Sequence, residues 1–271
     1  MQTAFYQLDA FADRPFGGNP AAVCPLDAWL PDPVLLAIAQ ENNLSETAFF
    51  VPDGTSSAVD YHLRWFTPAA EIDLCGHATL ASAAVVFRHL HPEWNAVTFG
   101  SMSGPLIVRR DEEGEWLELD FPARPAHGEI PVTPELVATL GARPDAVLDG
   151  ERDLYAVFAD AETVRSLTPD IAAIAAGPGS IVVTAPGDDD ETAYVCRMFA
   201  PAFGVPEDPV TGSIQCTLAP YWAGQLGTTI LPAKQVSTRG GALRVTLAGD
   251  RVRIGGQAIF VIEGTFTLPD A

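Results

Sequence analysis

Positive charge is scarce in this sequence. Its 271 residues hold 15 Lys and Arg against 35 Asp and Glu, a formal charge of −20 at pH 7, and Lys234 is the only lysine. A field of that sign repels phosphate backbones and anionic lipid surfaces, so nucleic-acid and membrane partners are disfavoured. No Gly-x-x-x-x-Gly-Lys phosphate loop occurs, and a Schiff-base enzyme would rest on Lys234 alone. Cysteine is sparse too. Cys24, Cys75, Cys196 and Cys216 form no Cys-x-x-Cys pair, which argues against a disulfide scaffold. No apolar run reaches about 18 residues, as a membrane-spanning helix would need. The stretch Met1–Asp9 lacks the basic flank and apolar run of a signal peptide, so a reducing cytoplasm is expected. His62, His89, His91 and His127 show no metal-ligand spacing, and Asp188–Glu191 lacks the spaced pattern of a calcium loop. Neither Gly-x-Gly-x-x-Gly after a strand nor Gly-x-Ser-x-Gly is present.

Apolar residues are plentiful, at 48% against 18% charged, so the chain can build a substantial core. Its length allows one large domain or two of roughly 130 residues. Short runs rich in aromatic and β-branched residues predict strands over 3–11, 47–51, 59–66, 105–110 and 116–121. The same texture returns at 155–158, 181–184, 193–199, 242–247 and 257–268. A helix is predicted over 33–42, with Asp32 as cap and Pro33 first, and surface helices over 134–140 and 161–175. Two further stretches, 78–90 and 212–222, are small and apolar all round, which predicts helices buried on every side. Pro220 should kink or end the second.

Those two helices expose an internal repeat. Arg64-Trp65-Phe66-Thr67-Pro68-Ala69 precedes an acidic stretch, then Cys75-Gly76-His77 and a helix. Arg197-Met198-Phe199-Ala200-Pro201-Ala202 precedes an acidic stretch, then Thr211-Gly212-Ser213 and a helix. Arg64 and Arg197 stand 133 positions apart, close to half the chain, so two similar domains are expected. Each copy places a glycine at a helix start, where free N–H groups could hold an anion such as a carboxylate. Glu46, before an apolar strand, is either an exposed turn residue or a partly desolvated carboxylate suited to proton transfer. His77, at a helix N-terminus, is either a packed residue or a neutral imidazole able to polarise an oxygen. Asp208 either supports the turn before Pro209 or faces the other half's Cys75-Gly76-His77 loop.

The chain resembles the PhzF-like (phenazine biosynthesis) family, related in fold to diaminopimelate epimerase. The resemblance rests on Asp9-Ala10-Phe11, Phe16-Gly17-Gly18-Asn19-Pro20-Ala21, Ser45-Glu46-Thr47-Ala48-Phe49, both repeat motifs, Glu207-Asp208-Pro209-Val210-Thr211-Gly212-Ser213 and Gly255-Gly256-Gln257-Ala258. It implies an α+β fold of two pseudo-symmetric domains, each a curved, mostly antiparallel sheet wrapped around a central helix, with the active site in the cleft between them. The expected domains are 1–118, completed by a last strand at 256–271, and 122–255. The resemblance further implies a homodimer with no organic cofactor and no metal. The implied activity is proton-moving isomerisation of a small carboxylated, cyclic metabolite. Glu46 matches the family's acid/base, and His77 and Asp208 match its two other catalytic positions. Asn19, Ser45, Gly76, Thr211, Gly212 and Ser213 are the expected substrate contacts. The related epimerases use two cysteines. Cys75 keeps the first place, as an inert thiol or a second proton carrier, and Cys216 falls eight residues beyond the second. A racemase or epimerase of amino or imino acids using Cys75, and a catalytically silent ligand-binding protein, are the alternatives.

Overall fold

A computed structural model describes residues 2–54 and 58–267, so Met1, the end of the expected last strand and the rest of the 256–271 segment beyond 267 lie outside the described residues. The chain divides into two compact units, Met1–Asp120 with Gly255–Ala271, and Phe121–Ile254. No helix among the described residues is long and apolar enough to cross a membrane.

The first unit runs through β1 (Gln2–Ala10), β2 (Asn19–Pro25), α1 (Asp32–Asn42), β3 (Glu46–Pro52), β4 (Tyr61–Phe66), β5 (Glu71–Ile72), α2 (Gly76–Val85), β6 (Ala96–Ser101), β7 (Gly104–Arg110) and β8 (Leu117–Pro122). β2 pairs parallel with β3, β3 antiparallel with β4, and β4 antiparallel with β5. β4 then pairs parallel with β6, and β6 antiparallel with β7. α2 packs against strands β1, β2, β3 and β7. Every residue from His77 to Val85 is buried, as a stretch without a polar face requires. The helix continues into a π-helical turn, Val86–Leu90, closed by the His91 N–H on the Val86 carbonyl at 2.7 Å.

The second unit runs through β9 (Gly128–Ile130), α3 (Pro134–Leu140), β10 (Ala146–Asp149), β11 (Leu154–Val157), α4 (Ala161–Ser166), α5 (Ile171–Ala176), β12 (Ile181–Pro186), β13 (Tyr194–Ala200), β14 (Val205–Asp208), α6 (Gln215–Leu226), β15 (Ile230–Gln235), β16 (Gly241–Ala248) and β17 (Arg251–Gly256). Its pairing order repeats that of the first unit. β11 pairs parallel with β12, β12 antiparallel with β13, and β13 antiparallel with β14. β13 pairs parallel with β15, and β15 antiparallel with β16. The final strand, β18 (Ala258–Thr267), returns to the first unit and runs antiparallel along all of β1.

The repeated motif performs the same task in both units. Arg64 on β4 donates from Nε and Nη2 to the two carboxylate oxygens of Glu71 on β5, both at 2.7 Å. Arg197 on β13 donates in the same way to Glu207 on β14, at 2.7 and 3.1 Å. Each guanidinium also lies over the phenylalanine two residues later, Phe66 or Phe199, near 5 Å from the ring centre (5.1 and 4.8 Å). The remaining nitrogen reaches a helix: Arg64 meets Asp32 in the first turn of α1 at 2.9 Å. Arg197 caps the carbonyls of Val164 and Leu167 at the end of α4, at 3.0 and 2.8 Å.

Several local expectations need correction. Asp32 is not the cap of α1. Pro31 occupies that place, and Asp32 is the first helical residue, its carboxylate drawn to Arg64. The helix expected over 161–175 is two helices, because Pro169 cannot donate to a continuous ladder. Pro220 neither ends nor starts α6, which runs through it to Leu226. The missing proline N–H leaves the Cys216 carbonyl without its helical donor, and the Arg124 N–H takes that oxygen at 2.8 Å. Gly212 does not begin α6 as Gly76 begins α2. The helix starts at Gln215, after a tight turn in which Gln215 and Cys216 donate back to the Gly212 and Ser213 carbonyls, both at 3.1 Å. The stretch before that turn is held in place by side chains of the unit's interior, described below.

Candidate active site

Helix α1 closes on Asn43, whose φ of 48° is the left-handed cap that asparagine accepts. Leu44 and Ser45 then deliver Glu46 to the first position of β3, level with Ala21 of β2. The next five residues of the strand are buried, so Glu46 is the last polar group before the core, with its side chain 15% exposed. Ser45 Oγ donates to Oδ1 of the buried Asn19 at 3.3 Å, and Asn42 Nδ2 donates to Thr47 Oγ1 at 3.0 Å. These contacts fix the turn on both sides of the carboxylate.

The first turn of α2 meets Glu46 from the other side. Cys75 is the extended residue before the helix and Gly76 its first. The backbone N–H groups of Gly76, His77 and Ala78 precede the first intrahelical donor, Thr79. His77 Nε2 stands 3.0 Å from Glu46 Oε2. The contact is an ion pair, and no hydrogen bond satisfies the buried Oε2. That oxygen therefore keeps an acceptor lone pair while resting against a ring nitrogen. Cys75 Sγ lies 3.5 Å from His77 Nδ1 and 3.9 Å from Nε2.

The electrostatics overturn one expectation. His77 is not held neutral by its helix. Burial does act to lower its pKa, but the Cys75 sulfur and the Glu46 carboxylate beside it prevail and raise it well above the usual histidine range. Magnitudes show why: a helix N-terminus opposes a cation by about 0.3–1 kcal/mol. Opposite charges 3.0 Å apart attract by about 5 kcal/mol before desolvation at an effective dielectric of about 20. Glu46 is the partner we regard as decisive, because burial pushes the Cys75 thiol up, Glu46 adds to that, and His77 only partly offsets both. Cys75 rests as a thiol. Burial likewise pushes Cys24 and Cys196 up to about 12 and Cys216 to about 11.

The remaining expected residues gather in the second unit. Asp208 ends β14, and Thr211 Oγ1 donates to its Oδ2. Two buried amides that the sequence analysis passed over hold this loop. Gln235 accepts the Thr211 N–H at 2.8 Å through Oε1, and its Nε2 donates to the Asp208 carbonyl at 2.7 Å. Gln215 Nε2 donates to the Thr211 carbonyl at 3.1 Å. Gly212 and Ser213 follow in the turn before α6. Asp9 is buried and accepts the Phe16 N–H at 2.7 Å, holding that exposed aromatic at a φ of 67°. Thus the structure unites Glu46, Cys75 and His77 in one unit, and Asp208, Thr211, Gly212 and Ser213 in the other. Chemically, Glu46 with His77 is a charged acid–base pair with a free acceptor.

Comparison with known proteins agrees with this fold. The family model for phenazine biosynthesis-like protein, PhzC-PhzF, matches residues 8–264. An uncharacterized isomerase of Pseudomonas aeruginosa is 47% identical over 269 residues, covering 99% of this chain and 100% of that one. The crystal structure of a phenazine biosynthesis protein of the PhzF family from Enterococcus faecalis superposes with a TM-score of 0.93 at 46% identity, covering 99% and 100% of the two chains. A predicted epimerase from Pseudomonas aeruginosa shares the fold at 22% identity, with a TM-score of 0.72 over 98% and 100%. The α+β architecture is thus of the diaminopimelate epimerase type.

Proposed function

The chain belongs to the PhzC-PhzF family of phenazine biosynthesis-like proteins and is an isomerase by kinship, and we propose that it moves a proton on a small carboxylated, cyclic metabolite by general acid–base catalysis without a cofactor. The observation that carries this is Glu46 Oε2, buried, without a donor, and 3.0 Å from His77 Nε2. A substrate C–H presented to that oxygen finds a base already desolvated. Glu46 takes the proton from one carbon and returns it to another. His77, as imidazolium, balances the carboxylate's charge and donates toward the oxygen on which negative charge develops. The N–H groups at the start of α2 suit a substrate carboxylate, and Asn19 and Ser45 fix the geometry of the turn. The proposed setting is cytoplasmic and homodimeric, with no nucleic-acid or membrane partner, in keeping with the charge of −20.

A racemase or epimerase using Cys75 is the second reading, favoured by the 3.5 Å approach of Sγ to His77 Nδ1. The raised thiol pKa weighs against it, because such a mechanism wants a thiolate in one of its two states. One comparison separates the two. Metabolite carboxylates are screened for solvent-deuterium incorporation, and Glu46→Gln and Cys75→Ala are assayed on any that exchange. Glu46→Gln should lose about 10²- to 10⁴-fold in rate with little change in affinity, and Cys75→Ala should stay within tenfold of the parent. A dead Cys75→Ala beside an active Glu46→Gln transfers the reaction to the thiol.

A further inference from the structure

Glu46, Cys75 and His77 offer a carboxylate oxygen, a thiol sulfur and a ring nitrogen that all lie within 4.8 Å of one another, none of them on the open surface. We propose that these three side chains form an inhibitory binding site for a borderline-soft divalent cation, Zn²⁺ foremost. Coordination rests on the geometry alone. The inhibition rests on the isomerase reading above, since the ion would take the atoms that move the proton.

Two independent observations support the site. The first is donor spacing. Zinc bonds of about 2.0–2.3 Å in a tetrahedron imply ligand–ligand edges of about 3.3–3.6 Å. The two distances from His77 Nε2, 3.0 Å to Glu46 Oε2 and 3.9 Å to Cys75 Sγ, bracket that range. The second is Glu46 Oε2 itself, a buried carboxylate oxygen that no hydrogen bond satisfies and whose near neighbour is the ring nitrogen that would share the ion. The donor set selects the metal. One sulfur, one nitrogen and one carboxylate suit Zn²⁺ or Co²⁺, whereas Mg²⁺ and Ca²⁺ require a cage of oxygens. Three protein ligands leave the fourth position to water.

The charges also balance. Cys75 releases its thiol proton to solvent as the sulfur–metal bond forms. His77 releases its Nε2 proton and binds through that lone pair, and Glu46 binds through Oε2. Two anionic ligands then cancel the two positive charges of the ion, with no electron transferred. The chain's charge of −20 raises the local concentration of cations further. With Oε2 and Nε2 both bound to metal, neither can accept or donate a proton, so occupancy stops turnover and a chelator restores it.

The test uses the untagged full chain, stripped with a chelator that is then removed, and titrated with Co²⁺. One equivalent should produce a thiolate-to-cobalt charge-transfer band in the near ultraviolet. Zn²⁺ should abolish the band and an equal concentration of Mg²⁺ should not. Cys75→Ser should lose the band and Cys216→Ser should keep it. Glu46→Gln should keep it while weakening Co²⁺ by more than about tenfold, the scale at which even outer-shell losses are felt. Absence of a thiolate band in the folded parent chain, or its persistence in Cys75→Ser, overturns the site. If Cys75→Ser fails to fold by circular dichroism, His77→Gln and Glu46→Gln decide: unchanged Co²⁺ affinity in both overturns the site. A metal-free chain that exchanges substrate protons but binds no Co²⁺ keeps the isomerase reading and loses this one.

Discussion

A single contact, Glu46 Oε2 against His77 Nε2 at 3.0 Å, reverses the charge state that the helix terminus alone would favour. The consequence is measurable. The His77 ring should be an imidazolium at pH 7 by NMR and should titrate well above the ordinary value of about 6.5. Because the folded pKa is raised, the stability that this proton contributes is fully present below about pH 6.5 and is lost as pH rises through the folded value. In Glu46→Gln the main opposing charge is gone while burial stays, so His77 should titrate lower than in the parent. A neutral His77 at pH 7 in the parent chain would contradict the pair. The sequence singled out both residues, but the pairing was not legible in it. Thirty-one positions separate Glu46 from His77, and only the packing of α2 against β3 brings them together.

Elements, rather than single residues, hold the second cluster. The loop after β14 has little regular structure of its own, so its shape depends on Gln235 at the end of β15 and Gln215 in the first turn of α6. The parallel pairing of β15 with β13 sets Gln235 opposite Cys196, in the interior. Gln235→Leu removes the acceptor of the Thr211 N–H and the donor to the Asp208 carbonyl. An unsatisfied buried polar group costs about 1–3 kcal/mol, and the variant should show that loss in urea unfolding. Its Thr211 amide should also exchange with solvent faster than in the parent, while amides of α2 keep their protection. Equal exchange at Thr211 would mean that the loop holds its shape without the glutamine. Nothing in the sequence marked this residue, because a glutamine beside the only lysine reads as surface until the strand pairing buries it.

At the scale of the whole chain, 35 acidic against 15 basic side chains leave a surplus of −20 that the ion pairs do not remove. Several of those pairs, such as Arg165 with Asp188 and Lys234 with Asp189, are partly exposed and contribute little. Self-repulsion should therefore dominate the response to salt. Raising NaCl from about 0.01 M to about 1 M shortens the screening length from about 30 Å to about 3 Å, and the melting temperature should rise. A fall would show that attractive pairs, including the Arg64–Glu71 and Arg197–Glu207 bridges, outweigh the surplus. β1 and β18 belong to one unit, since β18 runs along all of β1.

The sequence by itself determined the texture of the fold. Apolar runs predicted strands, and the repeated Arg-x-Phe-x-Pro-Ala motif predicted a recurring unit; the stretch at 78–90 predicted a helix buried on every side, which holds through Phe87, whereas Arg88, His89 and Leu90 are exposed at the end of the π-helical turn. It also determined which residue types were available for proton transfer, in Glu46, His77 and Asp208. Tertiary structure decided what those groups stand beside. Strands rich in proline, such as β2 and β15, escaped the sequence pattern because their pairing, not their propensity, makes them strands. Pro220 was accommodated because the Arg124 N–H reached the carbonyl it left open. The pKa of His77 rises because a carboxylate from another element stands closer than the helix dipole can offset. In each case the deciding contact joins residues far apart in the chain, and an interaction energy that depends on distance in space is not written in distance along the sequence.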